Sequence, residues 1–402
     1  MVYNAVVGQS GGPTAAINSS LAGVVDTLVK SDKIGKVFGA VNGIEGILGG
    51  NLKELSEVFS KKENIDLLKQ TPSSYLGSCR YKLPKEDTHK DYEKIFEVFD
   101  KNNIKYFFYI GGNDSMDTVM KLNAYSVKNN KNTIVMGVPK TIDNDLWGTD
   151  HCPGFGSAAK YVATSVLEIA LDSYCYDTKS VTIVEIMGRN AGWLTASSAL
   201  ARSKNQSAPH LIYCPENAFD KDEFINDINN ILKTQKNVIV AISEGIKDKD
   251  GNYILASSWG AQDKFGHAKL GGAGKALENL VAEKIGCKVR SVEINVLQRC
   301  AAHFTSKTDI EESFKIGKAA VKAALKGVSG NMMIYKRKKG SEYKVEISSM
   351  DINEIANKEK MLPENYITKN DVTDKFIKYA APLIEGENKI KTKNGIPLFI
   401  KR

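Results

Sequence analysis

Two kinds of segment alternate along most of this chain, and that alternation limits what it can fold into. Short runs dense in apolar, β-branched or aromatic residues occur at 3–7, 37–41, 106–110, 134–138, 181–186, 210–213 and 238–242. Between them lie longer stretches, at 15–29, 92–101, 115–127, 157–174, 191–201 and 224–232, whose apolar residues recur at helical spacing. A strand with no polar alternate face is buried on both sides, which a parallel sheet covered by helices achieves. The expected fold class is therefore α/β and doubly wound, with mainly parallel sheets. At 402 residues the chain is long enough for two or three domains. Gly271-Gly272-Ala273-Gly274 is the strongest flexible break and leads into a helix over 275–284. Past Gly330 the pattern changes: 332–335 and 343–347 flank a charged turn and predict a β-hairpin, followed by a Lys- and Asn-rich tail.

In an open parallel sheet, ligands bind at the carboxyl ends of the strands, so the residues that follow each apolar run carry the chemistry. Two such loops stand out. Gly111-Gly112-Asn113-Asp114-Ser115 offers backbone N–H groups to an anion at a helix start. Pro139-Lys140-Thr141-Ile142-Asp143-Asn144-Asp145 offers two carboxylates and an ammonium, the groups needed to hold a metal, take a proton from a hydroxyl and neutralise phosphoryl oxygens. An Asp-rich capping loop would have the same composition, but a cation at the same strand end implies an anion to be held. Gly8-Gln9-Ser10-Gly11-Gly12-Pro13-Thr14 reads either as an anion cradle or as a tight β–α turn, and lacks the dinucleotide and P-loop fingerprints. Arg80, after Gly77-Ser78-Cys79, is a phosphate clamp or a surface ion-pair partner. Met187-Gly188-Arg189-Asn190 ends another buried run, with an Arg suited to bidentate phosphate contact. Glu244, Arg290 and Arg299 are weaker candidates taken singly.

Composition removes several classes. A net charge of +8 fits a solvated Lys-rich surface or a field that attracts anionic substrates; no basic block with interleaved aromatics supports nucleic-acid binding. Residues 1–8 carry no basic leader and run straight into a strand, so no signal peptide is expected. No apolar run approaches membrane-spanning length, and the six cysteines have no metal-ligand spacing. A cytoplasmic enzyme with reduced thiols is the expectation.

These segments, in this order, resemble the phosphofructokinase family from Gly8 to about Gly327. The resemblance rests on Ser10-Gly11-Gly12, Gly77-Ser78-Cys79-Arg80, Gly111-Gly112, Thr141-Ile142-Asp143-Asn144-Asp145, Met187-Gly188-Arg189, Ser243-Glu244-Gly245 and Leu297-Gln298-Arg299. It implies two doubly wound lobes. Residues 1–150, completed by part of 298–330, would form a phosphoryl-donor lobe, and 151–297 a sugar-phosphate lobe. Residues 331–402 would be a C-terminal appendage. It also implies Mg²⁺-dependent phosphoryl transfer to the 1-hydroxyl of fructose 6-phosphate. Asp143 would be the base, with Thr141 beside the transferring phosphoryl and Asp145 at the metal. Gly11, Gly12, Arg80, Gly112, Asn113, Asp114, Ser115 and Lys140 fall at donor positions, with Asp114 and Asn113 also near the metal. Met187, Gly188, Arg189, Glu244 and Arg299 fall at sugar-phosphate positions. So does Arg290, which the family uses across a subunit interface, implying a homodimer or homotetramer.

ATP-using members commonly have Gly where this chain has Asp114 and again where it has Lys140. A carboxylate at 114 would crowd and repel a nucleotide's α-phosphate, and Lys140 would reach phosphoryl oxygens directly. The pair resembles the pyrophosphate-dependent branch, with ATP dependence, or added use of sedoheptulose 7-phosphate, as alternatives. Asn113 replaces a common metal-binding Asp, which puts direct metal contact there in doubt. Ser180 replaces a usual interfacial Arg, with Lys179 adjacent, and Val296 replaces a residue that often touches the sugar. Ala22 and Asp26 replace effector-binding Arg residues, so no control by nucleotide or phosphoenolpyruvate is expected. A kinase of the NAD or lipid type and a non-catalytic sugar-phosphate binder are the competing readings; the 140–145 and 187–189 segments count against both.

Overall fold

The structure is a computed structural model that describes residues 2–255 and 272–402. Besides a two-stranded ribbon near the end of the chain (Thr392–Lys393 with Ile396–Pro397), its strands are β1 (Tyr3–Gln9), β2 (Ile34–Ala40), β3 (Leu52–Glu54), β4 (Ile104–Gly111), β5 (Ile134–Pro139), β6 (Ser180–Ile186), β7 (Leu211–Tyr213), β8 (Asn237–Ser243), β9 (Lys288–Glu293), β10 (Asn331–Arg337) and β11 (Val345–Asp351). They form a seven-stranded sheet, ordered β11-β10-β5-β4-β1-β2-β3, and a four-stranded sheet, ordered β7-β8-β6-β9. The four-stranded sheet is wholly parallel. In the larger sheet only the edge strands β3 and β11 run antiparallel.

Each sheet is covered on both faces, as its strands require. In β4, Phe107, Phe108, Tyr109 and Ile110 are all essentially inaccessible. Phe108 and Ile110 pack with the helix Ile17–Val29, and Phe107 and Tyr109 pack with the helices Lys90–Lys101 and Asn113–Lys128. The smaller sheet lies between Phe155–Tyr174 and Trp193–Ser197 on one side and Lys221–Ile231 and Ala273–Lys284 on the other. The strand order reverses at β1, which has β2 on one side and β4 on the other. That switch point, where loops diverge to opposite faces, opens a crevice at the carboxyl ends of β1, β4 and β5.

Gly271 of the expected flexible break lies outside the described residues, and the helix after it begins at Ala273. One long helix, Lys307–Ala324, was not among the elements expected from sequence; it packs lengthwise on Ile17–Val29. The expected hairpin is present as β10 and β11, but it does not stand apart. Asn331 and Met332 pair in parallel with Met136 and Gly137, extending the first sheet. The tail then crosses to the other lobe, where Leu362, Phe376, Tyr379 and Leu383 enter the core around Trp193, and its last residues return to the first lobe, where Gln70 Nε2 donates to Leu398 O at 2.6 Å and Ile400 packs on the core. Apolar residues at those four positions, dispersed in a polar tail, find buried partners only there, so 331–402 is divided between the lobes instead of forming an appendage. No described helix is long and apolar enough to cross a membrane.

Candidate active site

Between the lobes lies a cleft of about 870 Å³. Most of its wall is built by the loops singled out from sequence. From the first lobe come Gly11 and Gly12 after β1, Gly112, Asn113, Asp114 and Ser115 after β4, Lys140, Thr141, Asp143 and Asp145 after β5, and Arg80. From the second come Met187 and Arg189 after β6, Glu244 after β8 and Arg299 after β9. Adjacent strands thus put residues more than a hundred positions apart against one space.

Lys140 is 2% exposed and extends across the cleft floor, where its Nζ donates to Gly12 O at 2.7 Å. Burial lowers its ammonium to about pKa 8, opposed by Asp143 and assisted by Arg299. The loop after it is turned by Asn144, whose backbone is left-handed (φ 55°). Asn144 is fully buried; its Nδ2 donates to Tyr379 Oη at 2.9 Å and its Oδ1 accepts from the Cys152 N–H at 2.9 Å. With the residue between them pinned this way, the two aspartates diverge. Asp143 shares the field of Glu244, Lys140, Arg189 and Arg299, and Asp145 turns to Asn113, whose Nδ2 donates to it at 3.0 Å. Both carboxyls are raised above the ordinary carboxylate range, first by desolvation and then by carboxylate neighbours: Glu244 for Asp143, and Asp143 and Glu359 for Asp145.

Asn113 Oδ1 is buried without a hydrogen-bond partner beside Asp145. An orphaned carbonyl oxygen next to a carboxylate suits a hard cation, and Mg²⁺ needs only one or two protein carboxylates when substrate phosphates supply other oxygens. Among the described residues no group of three or more His, Cys, Asp or Glu side chains forms an all-protein metal cage. Asp114, on the cleft wall, lies 4.0 Å from Lys82 Nζ.

In the second lobe, Arg189 Nε is also buried without a partner, a donor left for a ligand. Its backbone passes so close to Gly245 that a Cβ there would lie 1.9 Å from Arg189 O. Glu244 accepts from the Gly188 N–H at 3.4 Å, which holds Gly188 just behind the cleft wall. Arg299 reaches the first lobe, since a Cβ on Gly12 would approach its Nη1 to 3.4 Å. Arg290 is the exception among the expected residues. It lies on β9 outside the cleft, with a side chain 58% exposed, 3.9 Å from Asp172.

A family model described as phosphofructokinase matches residues 4–324. The chain belongs to the phosphofructokinase family. It is 39% identical to a pyrophosphate–fructose 6-phosphate 1-phosphotransferase of Halomonas elongata over 405 residues, covering 99% of this chain and 96% of the relative. A protein of the same description from Methylococcus capsulatus is 40% identical, covering 99% and 95%. The crystal structure of a pyrophosphate-dependent phosphofructokinase from Nitrosospira multiformis superposes with a TM-score of 0.89 at 38% identity, covering 99% of this chain and 96% of that one.

Set against this phosphofructokinase frame, the sequence missed part of the cleft lining. Asn190, Tyr81, Asn357 and Glu359 all face the cavity. Asn190 lay inside a segment already picked out, next to Arg189. Asn357 and Glu359 come from the tail beyond any strand end, where no local pattern marked them.

Proposed function

We propose that this phosphofructokinase transfers a phosphoryl group reversibly between pyrophosphate and the 1-hydroxyl of fructose 6-phosphate, giving fructose 1,6-bisphosphate and phosphate. The observation that carries the choice of donor is the pair Asp114 and Lys140, which line the donor side of the cleft from the ends of adjacent strands. A carboxylate at the first helical turn repels the α-phosphate of a nucleotide, whereas pyrophosphate ends short of it. The buried Lys140 ammonium supplies a cation within reach of the phosphoryl oxygens. The pyrophosphate relatives, matched over nearly the whole chain, support the same reading.

In this reading Asp143 takes the hydroxyl proton as the oxygen attacks phosphorus, and Lys140, Arg189 and Arg299 beside it favour the carboxylate form that a base needs, against burial and Glu244. Thr141 sits next to the transferring group. Lys140, Arg189, Arg80 and the Gly11, Gly12, Gly112 and Ser115 loops oppose the charge that spreads over the phosphoryl oxygens. Preorganised donors of this kind are each worth about 3 kcal/mol in comparable sites. Arg299, Glu244, Met187 and Gly188 hold the sugar phosphate. Asp145 and Asn113 would hold Mg²⁺, which neutralises phosphate charge when bound; Asp114, turned toward Lys82, is placed for the donor and not for that ion. The exposed Arg290 supports a homodimer or homotetramer in which it serves a neighbouring subunit's site. Ala22 and Asp26, in place of effector-binding cations, support an enzyme without allosteric control, and the same reading has it act in the cytoplasm on small phosphorylated substrates, with no nucleic-acid or membrane partner.

The reaction is tested in reverse, by ³¹P NMR with fructose 1,6-bisphosphate, Mg²⁺ and either orthophosphate or ADP. Pyrophosphate should accumulate from orthophosphate, with no ATP from ADP. ATP formation without pyrophosphate would overturn the donor assignment.

A further inference from the structure

The tail residues at the cleft have a role that the assigned machinery leaves unexplained. Glu359 forms an isolated antiparallel bridge with Leu146, the residue after Asp145. Its carboxylate oxygens each accept from Asn190 Nδ2 at 3.2 Å, the residue after Arg189. The next residue repeats the crossing through its backbone. Lys360 N–H donates to Asp145 O at 2.7 Å, and Lys360 O accepts from Trp193 Nε1 at 2.9 Å. Lys360 Nζ then turns inward to Asp150 O at 2.8 Å and Thr149 O at 3.0 Å. Upstream, Asn357 Nδ2 donates to Asp117 Oδ1 at 3.1 Å, on the helix that begins at the Gly112 loop. One short segment therefore touches two loops that face each other across the cleft, and the helix that follows a third.

We propose that Glu359 is a positioning residue: it fastens the Arg189 loop of one lobe to the Asp143–Asp145 loop of the other, fixing their separation for in-line transfer. This rests on the phosphoryl-transfer reading above and adds an element that none of the expected site residues includes. Its partner Asn190 sets the position of Arg189, which is carried on a backbone wedged against Gly245. The Glu359–Asn190 contact lies at the solvent-exposed rim, so water replaces it readily and it adds little to folding. Misplacement of a catalytic loop by about 1 Å can nevertheless cost up to ~100-fold in rate.

The test compares wild type, Glu359→Ala, Glu359→Gln, Asn190→Ala and the double alanine variant. Steady-state kinetics are read with the donor that the wild type turns over, alongside thermal melts. Wild-type turnover with ATP but not pyrophosphate would contradict the donor reading and leave this comparison intact. Glu359→Ala is expected to lower kcat about tenfold, with KM for both substrates within about twofold and the melting midpoint unchanged. Glu359→Gln, which keeps an acceptor for Asn190 Nδ2, should recover at least half of wild-type kcat. Asn190→Ala should match Glu359→Ala, and the double variant should be no worse than either, since both remove one contact. The proposal is overturned by an unchanged kcat in Glu359→Ala, by additive losses in the double variant, or by a glutamine variant no better than alanine.

Discussion

Lys140 carries the donor argument at the scale of one side chain, and its pH behaviour is specific. Burial holds its ammonium at about pKa 8, far below the ordinary lysine value near 10.4. The charged form is the one that meets phosphoryl oxygens, so kcat/KM, which reports the free enzyme, should fall as pH rises through about 8. Lys140→Arg, which keeps its charge, should lose that limb. An alkaline limb no lower than about 10 in the wild type would contradict the assignment. Asp143 gives the second residue-scale expectation. Asp143→Asn should cut kcat by at least about 10³-fold while isothermal titration still detects fructose 6-phosphate, because the proton acceptor goes but the shape stays. Retention of more than a tenth of wild-type kcat would remove Asp143 from the role of base. The chemistry at these positions was legible in the sequence because each lies at a strand end. The divergence of Asp143 from Asp145 was not, since it depends on the left-handed Asn144 and on Tyr379, a partner 235 positions away.

At the scale of elements, the loop after β5 is braced from below by a buried charge network. His151 is 3% exposed, with Nδ1 2.9 Å from Asp150 and Nε2 2.8 Å from Glu312, and it stacks on Tyr335 at 4.4 Å. Burial alone would lower its pKa, but the two carboxylates outweigh that and raise it. A histidine whose folded pKa is raised gives stability that is complete below its unfolded pKa, about 6.5, and is lost as pH rises through the folded value. His151→Gln should therefore cost about 3 kcal/mol in urea unfolding at pH 6, with a smaller cost at pH 9. An equal cost at both pH values would contradict a charged His151. None of this was visible in the sequence, where His151 sits in no strand-end pattern and Glu312 lies in the helix that went unread. That helix, Lys307–Ala324, meets Ile17–Val29 through glycines: a Cβ on Gly317 would lie 2.2 Å from Ser20 O, and one on Gly23 2.0 Å from Phe314 O. The period of its apolar residues was available, but it falls beyond the last strand of the alternating pattern and was overlooked for that reason.

Taken as a whole, the molecule is two mainly parallel sheets whose strand ends face one cleft, and the alternation of apolar runs with helical stretches disclosed that architecture. The destination of the tail was the part that could not be read. Hairpin pairing is local and leaves a local signal, whereas the docking of β10 on β5 and of Tyr379 and Phe376 around Trp193 depends on surfaces that exist only after the lobes form. A chain ending at residue 330 would leave β5 as an open edge and the Trp193 cluster uncovered, and should be recovered insoluble or with a non-cooperative melt. A soluble, active product of that length would show that the tail is dispensable.

Donor choice is tested most directly by initial rates of fructose 1,6-bisphosphate formation from fructose 6-phosphate and Mg²⁺, with pyrophosphate and ATP supplied in parallel. Turnover with pyrophosphate and none above background with ATP is the predicted result, whereas turnover with ATP alone would contradict the roles given to Asp114 and Lys140.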